Sequence, residues 1–144
     1  FLLTYPGVPV IYYGDEIGMT GEKDPDCRKT MIWDETLWDK EIFNAAKALI
    51  RLRKNKEALK KGEFRTAVAG NNGVYGYWRI HGESRLLVLL NRTNRLHHVH
   101  LSLPVEMKGE WQKIYPLAGQ EHPFTESIDL HLPPWYGGIW EQKN

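Results

Sequence analysis

The sequence has few of the features that would assign it to a specialised class of protein. Its 144 residues include one cysteine, Cys27, so no disulfide can form within the chain, which fits a reducing compartment. The formal net charge is only +1, and this gives no electrostatic reason to expect nucleic acid or an anionic membrane as partner. No run of about 18 apolar residues suggests a transmembrane helix. We therefore expect a soluble, cytoplasmic protein with no nucleic-acid or membrane partner.

The residues that are present indicate a globular chain. Apolar residues make up 42% of the sequence and charged residues 26%, which is ordinary for a folded soluble domain. The length suits one domain or slightly more. Six tryptophans and seven tyrosines are many for this size. Aromatic rings stack on sugars but also fill cores, and we expect most of the tryptophans to lie in the core.

The first stretch of interest is an apolar run over residues 8–13, between Gly7 and Gly14. Its β-branched and aromatic residues predict a strand buried on both faces, as in a parallel sheet. A long polar loop then extends to about residue 39. Because ligands of α/β barrels bind in loops at the carboxyl ends of strands, this loop is a candidate site.

A helix is predicted over residues 40–54, with Asp39 or Thr36 as the N-cap. Arg53 lies within its apolar stripe and needs a partner. Our hypothesis is a structural ion pair, for which a residue outside this chain is one candidate partner. A final turn over residues 56–61 should end at Gly62 as a left-handed C′ glycine.

After Gly62 the hydrophobic period changes from 3.6 to 2, which we interpret as a domain boundary. Gly70-Asn71-Asn72-Gly73 and residues 81–84 are turn signals. The alternation predicts strands at 64–69, 74–80, 85–91, 96–103, 111–115, 127–132 and 138–141. The strand at 85–91 is strongly apolar and should be central. Short strands at this spacing are typical of an antiparallel sandwich.

The loop sequence carries a resemblance to a known family. The run G-V-P-V-I-Y-Y-G-D-E-I-G-M, followed by D-P-x-x-R and M-I-W, resembles the last barrel strand and following loop of the α-amylase family. The neopullulanase, cyclomaltodextrinase and maltogenic amylase group is most similar. The resemblance implies an α/β remnant in residues 1–62, namely the last strand, substrate loop and last helix of a (β/α)8 barrel. Residues 63–144 would form an all-β antiparallel Greek-key sandwich.

The resemblance also implies a function. The parent would be a retaining glycosidase that hydrolyses α-1,4, and as an open alternative α-1,6, glucosidic bonds in maltodextrins, cyclodextrins or pullulan. Its catalytic Asp, Glu and Asp would lie on earlier strands, so no catalytic residue is assigned and the chain alone should be inactive. No cofactor is expected in this chain, and any calcium ion of the parent would be held by absent segments. The expected partners are an α-glucan substrate, the missing barrel portion and further copies in a homo-oligomer.

Asp24 and Arg28 are the candidate substrate-binding residues that the resemblance implies. A carboxylate accepts hydrogen bonds from adjacent sugar hydroxyls, and a guanidinium donates to others. The alternative is that the two side chains pair and brace the loop, and both roles can coexist. Asp15 and Glu16 are neighbours in an extended stretch and point to opposite sides. They are therefore a poor catalytic pair, and we assign them a structural role.

Three histidines near residue 100 suggest a metal cluster at first sight. His98 and His100 share one strand face, while His97 takes the other, and no neighbour in sequence completes a ligand set. We interpret them as surface histidines. Two non-enzymatic roles stay open for the sandwich. It could be a carbohydrate-binding module, which exposed coplanar tryptophans would favour, or a structural domain that stabilises the barrel.

Overall fold

The computed structural model describes residues 1–70, 72–116 and 124–143. Within these residues the chain forms two helices followed by seven strands. The helices are α1 (Lys40–Asn55) and α2 (Glu57–Lys61). The strands are β1 (Glu63–Ala69), β2 (Val74–His81), β3 (Ser84–Asn91), β4 (His97–Ser102), β5 (Trp111–Tyr115), β6 (Ser127–Leu132) and β7 (Tyr136–Gln142). Across the described residues, no helix combines the length and hydrophobicity needed to cross a membrane.

The strands form two antiparallel sheets. The larger has the order β1-β2-β3-β7-β5, and the smaller pairs β4 with β6. After β3 the chain alternates between the sheets, because β4 and β6 belong to one and β5 and β7 to the other. This alternation confirms the predicted antiparallel two-sheet architecture. The first predicted turn includes residue 71, which lies outside the described residues; the second joins β2 to β3.

The central strand β3 is buried on both faces. Leu87 and Leu89 point into the core shared with the smaller sheet, where they meet three buried tryptophans, Trp78, Trp111 and Trp140. Leu86 and Val88 point to the opposite face, towards the helices. Adjacent residues of a strand alternate in direction, so a continuous apolar run fits a strand covered on two sides. The predicted central position of residues 85–91 is thus confirmed.

The helices cover the second face of the larger sheet. Asp39 is the N-cap of α1, and its carboxylate accepts hydrogen bonds from the backbone N–H groups of Glu41 and Ile42. The short helix α2 buries Ala58 and Leu59 completely against the sheet. Area burial of this kind supplies most of the stability of so short a helix.

Gly62 ends α2 for a different reason from the one predicted. Its φ is −67°, so the left-handed C′ conformation is wrong. Instead, a Cβ at this position would lie 2.3 Å from the carbonyl oxygen of Ala58 and 2.9 Å from that of Ile80. Glycine is needed because two backbone segments approach it closely.

The predicted strand over residues 8–13 is wrong for this structure. The segment forms no ladder, and Val8 and Val10 are 91% and 76% exposed. A parallel strand needs a neighbour to receive its backbone hydrogen bonds. No such neighbour is found among the described residues, so this segment, called the extended segment below, has no regular secondary structure. The barrel remnant is therefore not shown.

Two buried arginines attach the first residues to the rest of the molecule. Arg53 donates to the carbonyl oxygens of Leu3, Tyr5 and Gly7 at 3.0, 3.1 and 2.5 Å. Among the described residues it forms no ion pair, and an acidic partner in a segment outside the chain stays a prediction. Arg79 donates to the carbonyl oxygen of Thr4 at 2.6 Å. Carbonyl dipoles therefore replace carboxylates as the acceptors of these charges.

Candidate functional site

The polar loop over residues 14–39 contains structure of its own. Three short 3-10 turns occupy Asp15–Ile17, Asp26–Arg28 and Glu35–Leu37. The first is tied by the backbone N–H of Gly14, which donates to a Glu16 carboxylate oxygen at 2.9 Å. That hydrogen bond gives Glu16 the kind of local structural role expected of it. The loop is thus a series of turns with exposed polar side chains between them.

Asp24 and Arg28 meet on the surface of this loop. Arg28 Nη2 donates to Asp24 Oδ2 at 2.8 Å. Their side chains are 60% and 69% exposed respectively, and an ion pair so exposed contributes little to stability. A guanidinium has five N–H donors and a carboxylate several acceptor sites. The pair therefore retains hydrogen-bonding capacity that faces solvent.

A neighbouring carboxylate, Asp26, does more to shape the loop. Its Oδ2 accepts from the backbone N–H of Glu22 at 2.8 Å and lies 3.3 Å from Lys29 Nζ. The hydrogen bond from Glu22, with a smaller contribution from Lys29, lowers the pKa of Asp26. Sequence reasoning missed this role, because the hydrogen bond comes from a backbone N–H four residues earlier in the loop.

An open cavity of about 210 Å³ lies beside these turns. Its lining includes Tyr13, whose hydroxyl donates to the carbonyl oxygen of Lys29 at 2.8 Å. Asp24 and Arg28 are not among the lining residues. The full lining consists of Tyr12, Tyr13, Asp15, Met19, Thr20, Gly21, Asp26, Cys27 and Lys29. The candidate pair thus lies outside the hollow, on the exposed part of the loop.

The tryptophans divide into buried and exposed groups. In the sandwich, Trp78, Trp111 and Trp140 are at most 2% exposed, whereas Trp135 is 72% exposed. In the loop, Trp38 packs on a phenylalanine and donates from Nε1 to the carbonyl oxygen of Ile32 at 2.8 Å. Trp33 is 82% exposed and does not pack within the loop. Core packing thus accounts for only half of the six tryptophans.

His98 and His100 contact a carboxylate, that of Asp129, which sequence reasoning did not identify. Asp129 lies on β6, and both oxygens of its carboxylate are within hydrogen-bond distance of a histidine. Oδ1 lies 2.6 Å from His98 Nε2, and Oδ2 lies 3.1 Å from His100 Nδ1. Hydrogen bonding to His98, and then to His100, lowers the pKa of Asp129. No signal in one sequence links residues 98 and 129, because the pairing of β4 with β6 joins distant parts of the chain. In their present conformations, no three His, Cys, Asp or Glu side chains of the described part form a metal site.

Comparison with known proteins extends the family resemblance over almost the whole chain. No family model matches the sequence. A cyclomaltodextrinase from Geobacillus thermopakistaniensis strain MAS1 is 37% identical over 139 residues, which cover 94% of this chain and 23% of that protein. Neopullulanase 2 from Thermoactinomyces vulgaris is 38% identical and covers 96% of this chain, equal to 24% of its own length. The chain is homologous to one segment of the cyclomaltodextrinase, neopullulanase and maltogenic amylase group.

Solved structures of a cyclomaltodextrinase and of an α-amylase have the same fold. A cyclomaltodextrinase structure superposes with a TM-score of 0.87 at 31% identity, over 99% of this chain and 24% of that one. An acarbose complex of an α-amylase from Geobacillus thermoleovorans gives 0.84 at 28% identity, over 99% of this chain and 31% of its own. The chain thus spans about a quarter of the relatives that it matches. The antiparallel sandwich corresponds to the C-terminal domain of α-amylase-family enzymes.

Proposed function

We propose that this chain is part of a retaining glycosidase that hydrolyses α-1,4 glucosidic bonds in maltodextrins, cyclodextrins or pullulan, with α-1,6 bonds as the second candidate linkage. The observation that carries the proposal is homology over nearly the whole chain to cyclomaltodextrinase and neopullulanase. In this proposal, the catalytic carboxylates belong to a barrel portion outside the 144 residues. The isolated chain should then release no sugar from β-cyclodextrin or pullulan.

In this enzyme, Asp24 and Arg28 form one sugar-binding edge of the cleft. Support comes from their exposure and from the weak stabilisation that an exposed pair gives. Asp24 accepts from two neighbouring hydroxyls of a glucose unit while Arg28 donates to other oxygens. The 2.8 Å bond between them orients both side chains before the sugar arrives.

The assignment can be tested by substitutions in the complete enzyme, that is, in a polypeptide that contains both the barrel and this chain. Asp24→Ala should lower kcat/KM on maltodextrins by about tenfold to a hundredfold, since a hydrogen bond to a charged group contributes roughly 1.5–3 kcal/mol. Lys23→Ala, at an exposed position of the same loop, is the control and should leave the kinetics unchanged. Normal kinetics of Asp24→Ala with a lowered melting temperature would instead assign the pair to loop bracing.

For the sandwich itself we propose a structural role. Three of its four tryptophans are buried, which argues against a binding module with a row of exposed coplanar rings. Its strand β2 also holds the segment that precedes the loop, through the bonds of Tyr77 and Arg79 to Thr4. Removal of residues 63–144 from the parent should lower its stability without changing the preferred linkage. Sugar binding by the sandwich alone would favour the binding-module role.

A further inference from the structure

Four metal-binding side chains lie together on the exposed face of the smaller sheet. In the register of β4 and β6, His98 lies opposite His131 and His100 lies opposite Asp129. Residues two apart on a strand share a face, and directly opposed residues have Cβ atoms about 4.5–5.5 Å apart. All four residues are exposed, whereas Val99 between the two histidines of β4 is buried and Leu130 between Asp129 and His131 is half-buried. The cluster is therefore a two-by-two patch on one surface.

The donor atoms of this patch are already in contact. His98 Nε2 lies 2.6 Å from one oxygen of Asp129, and His100 Nδ1 lies 3.1 Å from the other. The rings of His98 and His131 stack with centroids 4.8 Å apart and planes inclined by 24°. The carboxylate thus joins two imidazoles, and the third imidazole packs against one of them.

Three imidazoles and one carboxylate are ligands that suit a late first-row divalent ion. Zn²⁺ is bound tetrahedrally at about 2.0–2.2 Å, which places neighbouring donor atoms roughly 3.3 Å apart. The observed separations of 2.6 and 3.1 Å are shorter by about 0.7 and 0.2 Å, so the donor atoms must move apart to admit the ion. Imidazole-rich sets favour Zn²⁺, Cu²⁺ or Ni²⁺ over Mg²⁺ and Ca²⁺, which prefer oxygen ligands.

Closure around an ion would require the four side chains to rotate from their present positions. No three donors of the described residues converge in the present rotamers. The side chains of His98, His100 and Asp129 are 51%, 60% and 59% exposed, and exposed side chains change rotamer within nanoseconds. The His131 ring would also have to leave its stack on His98.

We propose that His98, His100, Asp129 and His131 bind one late first-row divalent metal ion, for which Zn²⁺ is the probe. The ion would join β4 to β6 across the face that is open to solvent. A two-stranded sheet is weak by itself, so this link acts as a structural clip on the less extensive side of the sandwich. The clip is independent of the sugar site proposed above, since none of its ligands lies in the loop.

Isothermal titration of Zn²⁺ into the 144-residue chain tests the proposal. We expect one ion per chain, a melting temperature raised by several degrees with Zn²⁺, and no response to Mg²⁺. His98→Ala and His131→Ala should each weaken Zn²⁺ binding at least tenfold. The control is His81→Ala, which removes an exposed histidine at the end of β2 and should leave binding unchanged.

Three results would overturn the proposal. One is no heat of binding with Zn²⁺ at concentrations up to about 0.1 mM, an order-of-magnitude limit for a specific site. The second is undiminished binding in the double variant His98→Ala/His100→Ala, whose circular dichroism spectrum shows whether it is folded. The third is a response to Mg²⁺ equal to that to Zn²⁺, since a site of imidazoles should not accept both equally.

Discussion

The guanidinium groups of Arg53 and Arg79 are buried, and they donate hydrogen bonds to backbone carbonyl oxygens. Arg53 is 8% exposed and Arg79 is 1% exposed. Burial lowers the pKa of Arg79, and the nearby charge of Arg53 lowers it further. The carbonyl oxygens of Leu3, Tyr5 and Gly7 face Arg53 and would lose their charged donor if that side chain were removed. The two guanidinium groups therefore hold the first residues of the chain against α1 and β2.

Arg53→Ala should destabilise the chain by about 1.5–3 kcal/mol, because hydrogen bonds to a charged donor are lost and buried acceptors are left unpaired. Arg53→Lys should recover only part of this, since one ammonium cannot reproduce the planar fork. Arg51→Ala, an exposed position on the same helix, is the control and should stay within about 0.5 kcal/mol. Urea unfolding followed by circular dichroism measures all three. An equal effect of Arg51→Ala and Arg53→Ala would contradict the assignment.

Tyr77 makes stability sensitive to alkaline pH. Its buried hydroxyl lies 2.5 Å from Thr4 Oγ1, and burial raises its pKa to about 12. In the unfolded chain the pKa of tyrosine is about 10. The unfolded state therefore ionises first, and the stabilisation present below about pH 10 is lost as the pH rises to about 12. The expected loss is roughly 2–3 kcal/mol.

Tyr77→Phe should reduce this alkaline decline. At neutral pH the variant should lose about 1 kcal/mol, the net value of a typical hydrogen bond. Between about pH 10 and pH 12 its free energy of unfolding should fall less steeply than that of the parent chain. Urea titrations at about pH 8, 10 and 11.5, which span the ordinary pKa of tyrosine, would measure both slopes. Identical slopes in the two proteins would show that another group controls alkaline unfolding.

For single residues, the sequence shows which side chain needs a partner, but it does not show which group that partner is. The position of Arg53 in an apolar stripe predicts a buried charge, and the charge is buried. Its acceptors are carbonyl groups 46–50 residues away, which no side-chain pattern marks. Asp129 escapes sequence reasoning for the same reason, since it reaches His98 only through a long-range strand pairing.

Elements that carry their own pattern can be predicted well. Helix α1 begins at Lys40 as expected and ends one residue later than predicted, at Asn55. Strands β5 and β6 occupy the predicted ranges, and alternation of apolar residues locates the others to within two residues. The extended segment over residues 8–13 shows the limit of this reasoning. Its apolar residues favour burial, but a segment forms a β-strand only where a second strand accepts and donates its backbone hydrogen bonds.

The junction between α2 and β1 gives a prediction at the scale of elements. Gly62→Ala should destabilise the chain by about 1–3 kcal/mol or more, because its Cβ would overlap two backbone carbonyl oxygens. Gly137→Ala is the matched control. Its nearest neighbour is the flexible Leu90 side chain at 3.2 Å, which can move aside. Thermal unfolding of both variants tests the difference. Equal tolerance of the two would mean that the junction is less tightly packed than the structure indicates.

Several large apolar side chains near the start of the chain are exposed to solvent. Residues of the extended segment and the loop form this surface. The most exposed large members are Val8, Val10, Trp33, Leu37 and Tyr12, at 91%, 76%, 82%, 69% and 53%. In the proposed enzyme, the missing barrel portion would cover the part contributed by residues 8–13.

The isolated chain should therefore self-associate. Sedimentation velocity over a range of concentrations should show oligomers, and a hydrophobic dye should fluoresce on binding. The double variant Val8→Ser/Val10→Ser should reduce both signals, because it removes the two most exposed valines of the segment. Val105→Ser, at an 82% exposed valine in a different region, is the control and should leave them unchanged. A monomer without dye binding would contradict the expectation.

The position of β7 has a consequence for how the chain is made. It is the final strand in sequence, yet it lies between β3 and β5 in the larger sheet. A ribosome that has released every residue up to the end of β6 has therefore produced two separate pieces of that sheet, with a gap between them. The hairpins of β1, β2 and β3 join neighbours in sequence and can pair early, whereas the pairing of β3 with β7 must wait until β7 has been synthesised. The sheet is complete only after Gln142 has left the exit tunnel.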